Sequence, residues 1–443
     1  MERFARYVSV SERIYMFKEK VSEFFCRVRK MFARRSVAEY FVLFLAISFV
    51  GYLVFYTVYG KASFVDVFFL RCDDLFMDFF NSVRDAAQGA GVYTERHVIY
   101  PPMANLLYLV CSRFIPSAYS DSSFDDRYSW TDYPEAIFFI MLFTLLAVLA
   151  LFWLVYETVK GRRLVRVLFA FFAVVNVPLL YMVERGNMML LCLVALMVYA
   201  ATYNSPNKLY REIGLLALAF SFSLKLYPVI FGWLLLADKR FLDGVRCAVY
   251  GILMLIIPSF WFGGPSCFVQ IFKNITSFST GHTNAITVIS GYTGISSSIL
   301  SLAVYLWCFI CIGAFIAAPF IYKERWKAWY VGVIVIMTVP SLTSIYMWSF
   351  FILPLTIMAN TSKLRSKNWF YFILTTLLFM FSIFRFNHFL TINSFLMYPM
   401  TAVLSVVAVT DTVVSGVRRC KSARSKKAAL AEAKETQEKV SDN

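Results

Sequence analysis

The sequence has little charge and almost no histidine for its length. Only 16% of its 443 residues are charged and three are histidine, whereas 60% are hydrophobic. A soluble surface needs about a quarter or more of charged residues, so soluble classes such as a Rossmann sheet or a barrel enzyme are excluded. The nine cysteines are scattered, and none stands at metal-ligand spacing with a histidine. This pattern excludes a secreted disulfide framework and gives no sign of a metal site.

What the sequence does contain is a series of hydrophobic runs of the length that crosses a bilayer, roughly 20 residues each. They lie at about residues 37–59, 135–159, 164–183, 187–203, 212–237, 243–262, 298–322, 328–360, 368–386 and 393–414. The run 212–237 is interrupted at Lys225-Leu226-Tyr227-Pro228, and the run 328–360 contains Pro340, so each predicts a pair of helices. We therefore expect an all-α polytopic membrane helix bundle with about 12 crossing helices plus interfacial helices.

Positive charge is concentrated in alternate loops. The net charge is +16, and the basic residues cluster in the short loops 160–166, 204–212, 237–246, 323–327 and 361–367. By the positive-inside rule these loops are cytoplasmic, as are both termini, and the loop 60–134 lies on the outer side. The same placement predicts contact with anionic membrane lipids and excludes nucleic acid as the reason for the charge.

Three segments differ in composition. Residues 1–36 repeat apolar side chains every three or four positions among arginines and lysines, which predicts a basic amphipathic cytoplasmic helix; the alternative is a basic flank that only fixes orientation. Residues 37–414 form the transmembrane domain. Residues 415–443 are polar and basic, which predicts a disordered cytoplasmic tail.

The long loop 60–134 carries a polar stripe. Its members recur at helical spacing of three or four residues: Arg71, Asp74, Asp78, Asn81 and Asp85. This spacing predicts an interfacial helix with carboxylates on one side and aromatic residues on the other. A carboxylate beside a low-dielectric wall binds a proton more tightly, which suits a general base. The alternative is a solvated acidic face with no chemistry.

Four short motifs follow one another along the chain. They are Asp73-Asp74-Leu75-Phe76-Met77-Asp78-Phe79-Phe80-Asn81, then Tyr100-Pro101-Pro102 ahead of a short apolar run, then Glu184-Arg185-Gly186-Asn187, and then Lys225-Leu226-Tyr227-Pro228. Over residues 37–414 the order and topology resemble glycosyltransferase family 87, membrane enzymes of the GT-C class that use polyprenyl-phosphate sugars.

The resemblance implies inverting transfer of a sugar, most often mannose, from a polyprenyl-phosphate donor on the outer face of a bacterial plasma membrane. The acceptor would be a glycolipid or polysaccharide of the cell envelope. The family pattern places the general base on Asp78, with Asp73 and Asp74 as neighbours that take over or orient that role. The lipid-linked sugar is a substrate, so no cofactor is expected, and the scheme requires no metal.

A phosphate leaving group gains negative charge as it departs, and nearby cations stabilise that charge. Arg185 offers a planar fork for phosphate oxygens, although an arginine at a span end can also snorkel to the interface. Lys225 lies inside an apolar run, where an ammonium needs a partner or a wet cavity; pairing with backbone carbonyls at the helix break is the alternative. We predict that Arg185, Lys225 and Tyr227 bind the donor phosphate.

Further polar residues are candidates for binding the substrates. They are Asn81, Tyr100, Asn187, His282 and Asn284. The last two lie in a Gly-, Ser- and Thr-containing segment that is also compatible with an ordinary polar loop. Two other functions stay open at this point: a transporter or flippase for a lipid-linked sugar, and a non-catalytic scaffold in envelope assembly. No internal repeat supports the transporter.

Overall fold

The chain is helical throughout the part that the structure describes. The computed structural model describes residues 35–59, 74–120, 128–281, 285–339, 344–361, 368–381 and 392–441. The α-helices are α1 (Val37–Tyr59), α2 (Met77–Ala87), α3 (Pro102–Ser112), α4 (Ser117–Ser120), α5 (Pro134–Thr158), α6 (Arg163–Val174), α7 (Val177–Arg185), α8 (Met189–Thr202), α9 (Lys208–Leu224), α10 (Trp233–Ala237), α11 (Phe241–Ser259), α12 (Cys267–Gly281), α13 (Ala285–Thr293), α14 (Ser297–Ile321), α15 (Arg325–Thr338), α16 (Ile352–Ala359), α17 (Asn368–Phe379) and α18 (Ile392–Ser441). Short 3-10 helices stand at Gly89–Val92, Ser129–Asp132, Tyr227–Gly232, Phe260–Phe262 and Ile345–Phe351. The prediction of an all-α fold is confirmed.

Five of the described helices are long and apolar enough to cross a membrane. They belong to α1, α5, α11, α14 and α18, and the pair α6 and α7, bent by 51°, adds a sixth if it forms one span. The chain is therefore an integral membrane protein. The prediction of about 12 crossings is not confirmed, because several apolar runs hold short helices that fall short of the roughly 30 Å hydrocarbon core at about 1.5 Å per residue. Met189–Thr202, for example, has 14 residues.

The break predicted in the run 212–237 is present. Helix α9 ends at Leu224, and Lys225 has an extended backbone with φ −147° and ψ 131°. The 3-10 helix Tyr227–Gly232 follows, with Pro228 in its first turn, where a missing N–H leaves no helical hydrogen bond unmade. The second predicted break, at Pro340, lies outside the described residues, between α15 and the 3-10 helix Ile345–Phe351.

Helix α2 is anchored in the core by its aromatic side. Phe79, Phe80 and Val83 are fully buried, as the alternation of polar and apolar residues predicted. The Phe80 ring stacks on Trp130 with centroids 4.5 Å apart. Each such side chain contributes about 1.5–3 kcal/mol on burial, so the polar side of α2 is held in a fixed orientation.

The polar stripe is shorter than the sequence predicted. Phe76 has a left-handed backbone with φ 57°, so α2 begins at Met77 and Asp74 lies in the turn before it. Asp78, Asn81 and Asp85 do share the helix. Arg71 and Asp73 lie outside the described residues.

A glycine lets α7 approach α2 closely. Gly186 caps α7 with φ 62°, and a Cβ atom at this position would lie 2.8 Å from Cβ of Phe79. Close by, the backbone N–H of Phe76 donates to the carbonyl of Glu184 at 2.6 Å. Helix α2, with the acidic motif, therefore packs closely against the end of α7, with the Glu-Arg-Gly-Asn motif.

The C-terminal segment differs from the disordered tail that composition predicted. Helix α18 continues from the membrane domain to Ser441. Its last part is rich in alanine, lysine and glutamate, which are strong helix formers, so helical propensity outweighs its polarity here. An ion pair of 2.7 Å between Lys327 of α15 and Asp411 fastens α18 to the bundle.

The amphipathic helix predicted near the N-terminus lies outside the described residues, which begin at residue 35.

Candidate active site

One arginine joins two carboxylates at the contact between α7 and α2. Arg185 is the last residue of α7. Its Nε donates to Oδ1 of Asp78 at 3.1 Å, and its Nη2 pairs with the same oxygen. Its Nη1 pairs with the Asp74 carboxylate and donates to the Asp74 carbonyl at 3.4 Å. The guanidinium therefore shares its charge between Asp74 and Asp78.

Asn187 holds the second oxygen of the Asp78 carboxylate. Its Nδ2 donates to Oδ2 of Asp78 at 2.7 Å, and its Oδ1 accepts from the backbone N–H of Met189 at 3.0 Å. This last contact fixes which end of the amide faces Asp78. Because Gly186 makes a left-handed turn between them, Arg185 and Asn187 both reach one carboxylate. The glycine of the Glu-Arg-Gly-Asn motif therefore lets the arginine and the asparagine bind the same side chain.

Lys225 approaches the same group from the break after α9. Its Nζ lies 3.8 Å from the centroid of the Tyr100 ring, a cation–π contact. Its charge also acts on Asp78. Within the described ranges, no carboxylate forms an ion pair with Lys225 and no backbone carbonyl accepts a hydrogen bond from it. The pairing with carbonyls that the sequence left open is therefore not what the described residues show.

Tyr100 is fixed at both ends. Its carbonyl accepts hydrogen bonds from the Tyr93 hydroxyl at 3.1 Å and from Nδ2 of Asn105 at 3.4 Å. Its own hydroxyl lies 3.5 Å from Nδ2 of Asn187. Pro101 and Pro102, which start α3, give the chain its extended entry. The ring under Lys225 therefore has little freedom to move.

The described cluster contains groups of both signs. Asp74 and Asp78 contribute carboxyl groups, and Arg185 and Lys225 contribute basic side chains. Burial raises the pKa of the Asp78 carboxyl, while the hydrogen bond from Asn187 and the charge of Lys225 oppose that rise. Such a group is a stronger base than an exposed carboxylate, provided that it stays ionised.

The structure brings six of the predicted site residues together. They are Asp74, Asp78, Tyr100, Arg185, Asn187 and Lys225. Two others are close by along the chain: Asn81 accepts a hydrogen bond from Arg84 at 3.5 Å, and the Tyr227 hydroxyl contacts the sulfur of Met189. Asp73, His282 and Asn284 lie outside the described residues.

Two tyrosines join the cluster that the sequence did not assign to it. The Tyr346 hydroxyl lies 3.5 Å from Nδ2 of Asn187, and its ring stacks on Tyr181 with centroids 6.0 Å apart. Sequence reasoning gave neither tyrosine a place in the site. Tyr181 precedes Arg185 by four residues, so helical spacing puts both on one face of α7, and that signal was available. Among the described residues, no group of three or more His, Cys, Asp or Glu is placed to hold a metal ion.

Comparison with known families decides the class of protein. The sequence profile of glycosyltransferase family 87 matches residues 99–342, which is more than half of the chain. The chain belongs to glycosyltransferase family 87. It is a membrane glycosyltransferase, which removes the support for the transporter and scaffold alternatives. No curated protein and no solved structure matches the chain.

The matched segment bears on the site as well. It includes Tyr100, Arg185, Asn187 and Lys225, and it begins after the acidic motif on α2. Asp74 and Asp78 lie before the matched segment, yet they pair with residues inside it. Side-chain contacts therefore join the acidic motif to residues of the matched segment.

Proposed function

We propose that this family 87 glycosyltransferase transfers a sugar, mannose in the first instance, from a polyprenyl-phosphate donor to a hydroxyl of an envelope glycolipid or polysaccharide. Transfer takes place on the outer face of the membrane and inverts the anomeric centre. The observation that carries the proposal is the Asp78 carboxylate, oriented by Arg185 and Asn187, with the cation Lys225 nearby.

Asp78 is the general base of this scheme. A carboxylate has about four lone-pair sites. Oδ1 faces the Arg185 fork, whereas Oδ2 accepts one hydrogen bond, from Asn187. Oδ2 therefore keeps a lone pair that can accept the proton of an acceptor hydroxyl. Asp74 serves as the second partner of Arg185.

The reaction is an in-line displacement. The acceptor oxygen forms a bond to the anomeric carbon while the bond from that carbon to the phosphate oxygen breaks. The electron pair of the broken bond goes to the phosphate, and the hydroxyl proton goes to Asp78. The phosphate gains negative charge as it leaves, so a nearby cation stabilises the transition state more than the ground state. In this scheme Lys225 takes that role; support comes from its charge acting close to Asp78, the proposed base.

Replacement of the base tests the proposal. A positioned general base contributes about 10²–10⁴-fold to the rate, so Asp78→Asn should lower kcat by roughly that factor. The assay uses the purified chain in nanodiscs with radiolabelled polyprenyl-phosphate mannose and candidate envelope glycolipids. Asp85→Asn is the matched control, since Asp85 shares the helix and pairs with Arg84 outside the cluster.

Two results would contradict the assignment of Asp78. One is an Asp78→Asn enzyme that keeps most of its turnover. The other is a loss of turnover in Asp74→Asn that exceeds the loss in Asp78→Asn, which would move the base to the preceding turn. Thermal unfolding of each variant shows whether a lost rate reflects lost structure.

A further inference from the structure

Tyr346 has a fixed position at the edge of the site. It is the second residue of the 3-10 helix Ile345–Phe351, and its own side chain is half-buried. Its ring stacks on Tyr181 of α7 at an interplanar angle of 25°. Four of the residues that follow it are almost completely buried, namely Met347, Trp348, Phe350 and Phe351. Because these neighbours hold the backbone and Tyr181 holds the ring, the Tyr346 hydroxyl has little freedom to move.

This hydroxyl lies close to the carboxylate oxygen that accepts the proton in the proposed reaction. Nδ2 of Asn187 is 2.7 Å from Oδ2 of Asp78 and 3.5 Å from Oη of Tyr346, so the two oxygens lie within about 6 Å of each other. The charges of Asp78 and Arg185 also act on the Tyr346 hydroxyl. An oxygen atom with two hydrogen bonds of about 2.8 Å bridges a gap of up to roughly 5.6 Å. A single substrate hydroxyl can therefore contact both groups.

The Tyr346 hydroxyl complements Asp78 as a hydrogen-bonding group. The Asn187 amide donates to its oxygen, and the Ser344 side chain also hydrogen-bonds with it. A phenolic hydroxyl has one proton and two acceptor lone pairs, so two donors on the oxygen leave the proton for a substrate. An ionised carboxylate only accepts. A sugar hydroxyl donates one proton and accepts at its oxygen, and it therefore matches the pair that Asp78 and Tyr346 form.

We propose that Tyr346 binds and orients the acceptor hydroxyl, with its O–H donating to the acceptor oxygen while that hydroxyl donates to Asp78. The inference rests on the proposed function and adds the residue that aligns the nucleophile. One lone pair of the acceptor oxygen accepts from Tyr346, and the other forms the bond to the anomeric carbon. The acceptor proton goes to Asp78, and Tyr346 keeps its own proton throughout.

This role predicts a preference for a sugar hydroxyl over water. Water can reach Asp78 in any orientation, and its attack hydrolyses the donor. A sugar hydroxyl is attached to a ring and has to arrive at one angle, which the hydrogen bond from Tyr346 helps to set. Tyr346 therefore raises the ratio of transfer to hydrolysis. If Tyr346 served only to pack against Tyr181, its hydroxyl would leave this ratio unchanged.

Removal of one oxygen atom tests the role. Tyr346→Phe keeps the ring and deletes the hydroxyl. The purified full chain in nanodiscs receives radiolabelled polyprenyl-phosphate mannose and octyl α-mannoside as acceptor, and the glycoside product and free mannose are counted separately. A neutral hydrogen bond is worth about a 3- to 10-fold change, so the ratio of transfer to hydrolysis should fall by about that factor. The KM for the donor should stay the same. Both products come from the same active molecules, so a loss of folded protein does not alter the ratio.

Tyr330→Phe is the matched control. The Tyr330 ring packs against Phe351 of the same 3-10 helix with centroids 4.9 Å apart, whereas its hydroxyl hydrogen-bonds with Thr375 at 2.7 Å, outside the site. This variant should keep the wild-type ratio. An unchanged ratio in Tyr346→Phe would overturn the proposal. An equal fall in both variants would overturn it as well, because the loss would then come from the packing of the 3-10 helix.

The two proposals can fail separately. If transfer occurs with the same ratio in the wild type and in Tyr346→Phe, the role of Tyr346 is wrong and the transferase mechanism stands. If no polyprenyl-phosphate sugar supports transfer, the proposed function fails instead. Titration with octyl α-mannoside then decides the role of the tyrosine. Binding to Tyr346→Phe that is at least threefold weaker than to Tyr330→Phe would support it, and equal affinities would overturn it.

Discussion

The contact between α7 and α2 depends on one glycine, and a single methyl group there should impair the site. Gly186→Ala adds a Cβ at a left-handed position, which costs about 1–2 kcal/mol in backbone energy. It also places that Cβ 2.8 Å from Cβ of Phe79. Carbon atoms prefer separations of about 3.5–4.0 Å, so α2 must withdraw by roughly 1 Å. A Cβ atom is fixed to its backbone, and no rotamer change relieves the clash.

That displacement acts on the reacting groups. Asp78 lies on α2, whereas Arg185 and Asn187 lie on either side of Gly186, so the withdrawal lengthens both sets of contacts. A misplacement of about 1 Å can cost roughly 10²-fold in rate. We therefore expect Gly186→Ala to lose about 10²-fold in kcat, measured by transfer of radiolabelled sugar per amount of folded protein from size-exclusion chromatography.

Gly89→Ala is the matched control for the backbone cost. Gly89 has φ 58°, close to the 62° of Gly186, but no atom lies within 4 Å of a Cβ added there. Both variants should lose thermal stability to the left-handed backbone, and Gly186→Ala should lose more because of the clash with Phe79. Only Gly186→Ala should lose the rate. Equal rates for the two variants would refute the argument that this contact positions Asp78.

Three further predictions concern charged groups. Lys225→Gln should weaken donor binding by about 10- to 100-fold in a titration with a polyprenyl phosphate. This factor corresponds to the roughly 1.5–3 kcal/mol of a charge-assisted hydrogen bond. Unchanged affinity would give Lys225 a structural role instead. In the pH profile of kcat/KM, activity should rise as Asp78 loses its proton. Asn187→Ala should move this rise to higher pH, because the amide hydrogen bond lowers the pKa of Asp78 against the increase caused by burial. A shift to lower pH would contradict this. Lys327→Met alone should lower the free energy of unfolding by about 3–5 kcal/mol, because it leaves the Asp411 carboxylate without its partner. Adding Asp411→Leu should restore much of the lost stability in thermal unfolding. Equal losses in the single and double variants would argue against the pair.

The sequence predicted the elements of the site better than their arrangement. The break at Lys225, the start of α3 at two prolines and the buried aromatic side of α2 all follow from local rules, and the structure has each of them. The contacts between Asp78 and Arg185 join residues 107 positions apart. Residue spacing gives no information on contacts between such distant positions, and only the resemblance of the motif order to glycosyltransferase family 87 suggested that these residues meet.

Two features of the helices could not be read from residue spacing alone. The helical stripe was extended back to Asp74 and beyond because spacing alone does not show where a helix begins, whereas a left-handed residue at Phe76 starts it later. The count of about 12 crossings is not confirmed, because hydrophobic runs do not distinguish a complete span from a short buried helix. Tyr181 and Tyr346 were not predicted as site residues, because aromatic residues are common at both buried and lipid-facing positions in a membrane protein.

The sharing of one guanidinium between two carboxylates suits the proposed chemistry. If Arg185 paired with Asp78 alone, its full charge would stabilise the carboxylate and make it a weaker base. With Nη1 committed to Asp74, Asp78 keeps its orientation and part of its proton affinity. Arg185 is then occupied before any donor arrives, so the phosphate must depend mainly on Lys225. In the proposed scheme Asp74 therefore adjusts the basicity of Asp78 through the shared guanidinium and does not itself accept the proton.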